Sequence, residues 1–142
     1  MCTQPQDPAV QRPSPLTALV TGGNRGIGQA IARGLVEAGV DVTIGSRDPA
    51  AGAIAAREIG CRALHLDLNE PDTYFAAVTQ AGGYDILVNN AGILNHGSLL
   101  EKGSDFDEAM QVMVHAPLDL IRLNVPHWRQ TGWGRIVNLS SG

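Results

Sequence analysis

Residues 21–28 read Thr-Gly-Gly-Asn-Arg-Gly-Ile-Gly, with glycines at 22, 26 and 28. The spacing is GxxxGxG rather than GxGxxG. An apolar run (residues 17–21) precedes it and a helical pattern follows. A pyrophosphate that seats on a helix N-terminus needs backbone N–H groups and a positive dipole end, with no side chains in the way. Glycines would serve a ligand-free tight turn equally well. Their place between a first strand and a first helix favours the phosphate-binding reading.

Other groups able to do chemistry are few. Tyr74 and Tyr84 are the tyrosines and Lys102 is the single lysine. Tyr74 is followed at the fourth position by Val78 and Tyr84 by Val88, so neither forms a Tyr-x-x-x-Lys pair. Cys2 and Cys61 have no metal-ligand spacing and are too few for a disulfide framework. His96 reads as a solvated loop residue and His115 as a helix-surface residue.

The elements that must position these groups alternate. Ile27, Ile31 and Leu35 recur every fourth residue and mark a helix face that Gly39 ends. Residues 40–44 are rich in β-formers. Asp48-Pro49 reads as an N-cap and first-turn proline of an Ala-rich helix that ends at Gly60. Strands are expected over 63–66, 86–88 and 135–139. Helices are expected over 71–81 and, as one long element, over 104–128. Cys61 leads the third strand, which is expected to be buried. Strand-helix alternation with nearly continuous apolar strands predicts an α/β fold, a doubly wound parallel sheet of Rossmann type covered on both faces. Ligands bind such sheets at the carboxyl ends of the strands. The polar and glycine-rich loops at 21–28, 45–48, 66–68, 89–93 and 140–142 all follow strands.

The chain has 142 residues and a net charge of −4, with 44% hydrophobic and 17% charged residues. That composition is globular. The acid excess argues against nucleic acid or an anionic membrane as partner. Residues 1–15 hold four of the eight prolines and read as a disordered lead-in to a domain over 16–142. No apolar run reaches membrane-spanning length and the first residues lack a secretory pattern, so a cytoplasmic, reducing setting is expected.

Four motifs in order, Thr21-Gly22-x-x-x-Gly26-x-Gly28, Asp67, Asn89-Asn90-Ala91-Gly92 and Ile136-Val137-Asn138-Leu139-Ser140-Ser141, resemble those of the short-chain dehydrogenase/reductase family. The resemblance implies hydride transfer between a nicotinamide cofactor and a carbonyl or alcohol substrate. It implies that Gly22, Asn24, Arg25, Gly26, Ile27 and Gly28 cradle the cofactor pyrophosphate. Asp67 would bind the adenine amino group with the Leu68 backbone beside it, or else serve as a turn carboxylate. Asn89 would brace the central strands, and Asn90, Ala91 and Gly92 would line the ribose and nicotinamide side. Ser141 matches the serine that steadies the substrate oxygen.

Cofactor choice follows from charge. NAD-preferring members end the second strand with an acid for the ribose 2′-hydroxyl. Here Ser46 stands at that place, Arg47 follows, and Arg25 lies in the glycine loop. Two guanidiniums suit a 2′-phosphate, so NADP(H) is expected over NAD(H).

The family's Tyr-x-x-x-Lys pair does not occur in the 142 residues, and Met113 aligns with its helix asparagine, whose amide a thioether cannot replace. The chain therefore reads as the N-terminal portion of such an oxidoreductase, truncated after the fifth strand and inactive alone. The alternative is a non-catalytic NADP-binding or interaction protein. An open fifth strand and an uncovered helix face predict an association-prone species. The family is often dimeric or tetrameric, which makes a homo-oligomer a further expectation.

Overall fold

The computed structural model describes residues 13–93 and 104–140. Five parallel strands, β1 (Thr17–Thr21), β2 (Asp41–Ser46), β3 (Arg62–His65), β4 (Ile86–Asn89) and β5 (Arg135–Asn138), form one sheet in the order β3-β2-β1-β4-β5. The chain runs outward from β1 through β2 to β3, then crosses back to place β4 on the other side of β1. The connections leaving β1 and β4 therefore diverge, which opens a crevice at their carboxyl ends.

Successive side chains of β1 serve opposite layers, as a strand's two-residue period requires. Ala18 and Val20 pack with Val42, Ile44 and Val88 under helices α1 (Gly26–Glu37) and α2 (Pro49–Ile59). Leu19 packs with Leu87, Tyr74 and Leu120 under α3 (Pro71–Ala81) and α5 (Ala116–Thr131). Each fully buried side chain of this size contributes roughly 1.5–3 kcal/mol. Asp48 caps α2 as expected: its carboxylate accepts from the N–H groups of Ala50 (2.9 Å) and Ala51 (3.2 Å). Gly60 ends that helix at φ +80°. Among the described residues, no helix is long and apolar enough to cross a membrane.

Three expectations are corrected. The inward face of α1 is Gly28 and Ala32, not a line through Ile27, which is 66% exposed. A four-residue spacing advances about 40° per step beyond a full turn, so a stripe through Ile27, Ile31 and Leu35 winds off the sheet. Second, β3 spans Arg62–His65 rather than 63–66, and it is largely exposed. Cys61, just before it, is half-buried, so the buried strand expected there is absent. As an edge strand β3 has one neighbour, and Arg62 on it pairs with Asp41 at 2.9 Å. The opposite edge strand, β5, is exposed along its whole length. Covering on both faces thus holds for the inner strands only.

Third, the long helix is three segments: α4 (Ser104–Met110), a π turn (Gln111–His115) and α5, which runs on to Thr131. Pro117 explains the interruption. It has no N–H for the carbonyl of Met113 and its ring crowds that group, so the preceding turn widens to i→i+5 bonding.

Helix α5 is fastened to the start of β4 by four polar contacts. Asn124, fully buried, accepts the Tyr84 N–H through Oδ1 (2.7 Å) and donates to the Leu120 carbonyl (2.8 Å). The Trp128 indole N–H donates to the Tyr84 carbonyl at 2.7 Å. His127 Nε2 lies 2.8 Å from Asp85 Oδ1.

Candidate functional site

The glycine loop is built by a reciprocal latch between β1 and β4. The Thr21 hydroxyl accepts the N–H groups of Asn90 (3.1 Å) and Ala91 (3.0 Å). The Asn90 amide donates back to the carbonyls of Thr21 (3.0 Å) and Gly22 (3.2 Å). Gly22 and Gly26 adopt φ +63° and +56°, a region that favours glycine. A Cβ on Gly28 would strike Asn90 Nδ2 and the Gly22 carbonyl, so glycine there lets α1 start against the loop.

The N-terminus of α1 is open. Arg25, the N-cap, is extended (φ −158°) and makes no side-chain cap. The first intrahelical bond is Gln29 N–H to Arg25 O, so the N–H groups of Gly26, Ile27 and Gly28 have no acceptor within the helix. No atom lies within 4 Å of where a Gly26 Cβ would be. Asn24 is half-exposed, and Arg25, Gly26 and Ile27 are exposed. This contrasts with α2, whose first turn Asp48 occupies.

At the end of β2 the two candidates separate. Ser46 is 2% exposed and its hydroxyl donates to the Asp48 carbonyl at 2.7 Å, in space that Gly52 leaves free. The alternation of the strand turns Ser46 inward and leaves Arg47 exposed. Among the described residues neither Arg25 nor Arg47 is ion-paired.

Asp67 stands at the end of β3, half-buried, and one of its oxygens accepts the Asn69 N–H at 2.9 Å. The Leu68 side chain lies in the core, and its carbonyl accepts from Gln111 Nε2 at 2.9 Å. Asn89 donates to Asn138 Oδ1 at 2.8 Å and so ties β4 to β5 in register. The buried Oδ1 of Asn89 has no partner among the described residues. Gly92 is exposed. Ser141, the disordered lead-in over residues 1–12, His96 and Lys102 lie outside the described residues. His115 and Met113 are both exposed, the latter in the π turn.

The two phenols are unsuited to proton transfer. Burial pushes the Tyr74 hydroxyl above the usual tyrosine value, the Gln111 contact opposing and Asp119 adding. Burial likewise raises Tyr84, against a Thr43 contact. Burial also raises the Cys61 thiol, away from reactive thiolate character.

Sequence reasoning did not single out the Thr21 hydroxyl, Asn138 or Gln111. Thr21 and Asn138 end apolar strands with a hydrogen-bonding side chain, a signal that was available. Gln111 carries none, because its partner is a backbone carbonyl 43 residues away.

The short chain dehydrogenase family profile matches residues 16–142. A 3-alpha-(or 20-beta)-hydroxysteroid dehydrogenase of Mycobacterium tuberculosis is 36% identical over 131 residues, 87% of this chain and 50% of that protein. A rhamnolipids biosynthesis 3-oxoacyl-[acyl-carrier-protein] reductase of Pseudomonas aeruginosa is 38% identical over 139 residues, 87% of this chain and 54% of that protein. A metagenomic short-chain oxidoreductase solved in complex with NADP superposes with a TM-score of 0.83 at 35% identity, covering 89% of this chain and 62% of the other. The chain spans about half the length of the curated relatives it matches.

Proposed function

The chain belongs to the short-chain dehydrogenase family, and from that premise we propose that it binds NADP(H) and serves hydride transfer between this cofactor and a small-molecule carbonyl or alcohol. The observation that carries the reading is the uncapped N-terminus of α1 inside the glycine loop, with Arg25 and Arg47 unpaired among the described residues at the same edge. The NADP complex of a similar structure supports it.

On this reading Gly22, Asn24, Arg25, Gly26, Ile27 and Gly28 hold the pyrophosphate through backbone N–H groups and the helix dipole. Arg47 and Arg25 hold the ribose 2′-phosphate by charge-assisted bonds. Ser46, bound to the Asp48 carbonyl, contributes by not being an acid, so that no carboxylate repels that phosphate. Asp67 takes the adenine amino group on its second oxygen. Asn89 braces the sheet, and Asn90, Ala91 and Gly92 shape the nicotinamide side. NADP(H), when bound, supplies or accepts the hydride. Ser141 steadies the substrate oxygen.

Proton transfer is a different matter. The 142 residues hold no Tyr-x-x-x-Lys pair, and burial raises both phenols present. The chain by itself therefore binds NADPH and does not oxidise it. Fluorescence titration of NADPH on the purified chain, followed by addition of ketone substrates, tests both statements. Saturable binding without carbonyl-dependent oxidation is expected. Failure to bind would overturn the cofactor reading, and turnover would overturn the inactivity.

A second reading, an NADP-binding or interaction protein without chemistry, is favoured by Met113, an exposed thioether at the family's asparagine position. The coding sequence downstream of Gly142 separates the two. A Tyr-x-x-x-Lys there supports the oxidoreductase, and its absence in every frame supports the binder.

A further inference from the structure

We propose that Gln111, assisted by Glu108, is a positioning residue that holds the turn over residues 67–69 in place for the adenine end of the cofactor. The inference rests on the NADP(H) reading above and assigns these two side chains to it.

The turn leaves β3, an edge strand with a single neighbour. Its internal bonds fix its shape. Asp67 accepts the Asn69 N–H, and the Thr73 hydroxyl accepts the Asp67 N–H at 3.0 Å. None of these bonds fixes where the turn stands relative to the crevice.

Two side-chain contacts do, and both come from the segment that runs from α4 into the π turn. Gln111 Nε2 donates to the Leu68 carbonyl at 2.9 Å. Asn69 Nδ2 donates to Glu108 Oε1, also at 2.9 Å. Glu108 and Gln111 are three residues apart and so share a helix face.

Gln111 is itself fixed. Its Nε2 lies 3.5 Å from the Tyr74 hydroxyl, which donates to Asp119 Oδ2 at 3.2 Å. Tyr74 has no exposed surface. Its phenol therefore bridges a residue at the start of the π turn and one just after its end.

The consequence is chemical. With the Leu68 side chain buried and its carbonyl taken, the turn has two groups without a partner among the described residues: the second Asp67 oxygen and the Leu68 N–H. An acceptor beside a donor is the complement of an adenine edge, which offers an amino group beside a ring nitrogen. A loose turn would keep both groups but lose their joint placement.

The test uses the whole 142-residue chain and two halves of the cofactor as probes, adenosine 2′,5′-bisphosphate and reduced nicotinamide mononucleotide. Gln111→Met removes the amide and keeps the side chain's length. It is expected to weaken the bisphosphate about tenfold, the loss of one hydrogen bond, and to leave the mononucleotide unchanged. Unchanged bisphosphate affinity, or an equal loss for both probes, would overturn the proposal. If Gln111→Met fails to fold by circular dichroism, Asn69→Ala carries the same comparison from a less buried position, with a loss of about threefold expected. Failure of the unsubstituted chain to bind either probe would overturn the NADP(H) reading and this inference with it. Normal binding that is indifferent to both substitutions overturns this inference alone.

Discussion

Asn90 and Thr21 hold each other at the point where the strand order reverses. The Asn90 amide donates to the Thr21 and Gly22 carbonyls, and the Thr21 hydroxyl accepts the Asn90 N–H. The glycine loop thus takes its position from β4 as well as from β1. A Gly28→Ala substitution drives a methyl into Asn90 Nδ2 and the Gly22 carbonyl. It is expected to cost about 1–3 kcal/mol and to abolish detectable NADPH binding. Asn90→Ala relieves one of the two collisions. Urea titrations of both single variants and the double variant should therefore show a coupling of at least about 0.5 kcal/mol.

Arg47 carries the predicted choice of cofactor. Arg47→Ala should weaken NADPH by about tenfold or more, the value of a charge-assisted hydrogen bond, and leave NADH within a factor of about two. Parallel fluorescence titrations check the split. Equal loss for the two cofactors would place Arg47 away from the 2′-phosphate.

Asp85 makes stability depend on acid. Burial pushes its carboxyl up, but hydrogen bonds from the Thr17 N–H (2.8 Å), His127 and the Thr17 hydroxyl outweigh this, and the net value is lowered from 3.8. Between that ordinary value and the lower folded one, the unfolded chain binds more protons. The stabilisation is therefore complete above about pH 4 and is lost as pH falls through the folded value. Urea midpoints measured downward from pH 7 should drop steeply only in that acid range. Asp85→Asn should lower the neutral-pH midpoint by about 1–3 kcal/mol and flatten the acid limb.

Asn124 is expected to matter for folding and not for the cofactor. Asn124→Leu leaves the Tyr84 N–H buried without its acceptor, at a cost of about 1–3 kcal/mol, which a denaturant midpoint reads directly. NADPH affinity measured well below that midpoint should be unchanged.

The fold was legible because its signals are local. The glycine loop, the Asp48-Pro49 cap and the αL stop at Gly60 each depend on a few adjacent residues, and the apolar strands with their intervening helices left one topology. What was not legible depended on distance or on place in the sheet. The exposure of β3 follows from its edge position, which no four-residue window reveals. Ser46 marked the right strand end, but its burial is decided by Gly52 on the next helix. Arg47 was readable from charge alone. Gln111 and Glu108 were invisible because their partners lie in another loop. The π turn had a local signal in Pro117, but amphipathic periodicity outweighed it.

That turn also sets how this region can tolerate change. Val112, Ala116, Leu120 and Asn124 all face inward, each four residues after the last. A strict α-helix would carry such a series about 40° round the axis at each step; the wider turn absorbs part of the drift. Deleting one residue from Gln111–His115 would let the segment relax to ordinary helix and rotate everything after it by about 100°. Asn124, His127 and Trp128 would then swing away from Tyr84 and Asp85 together. Side chains within the turn can vary widely, whereas its length in residues cannot.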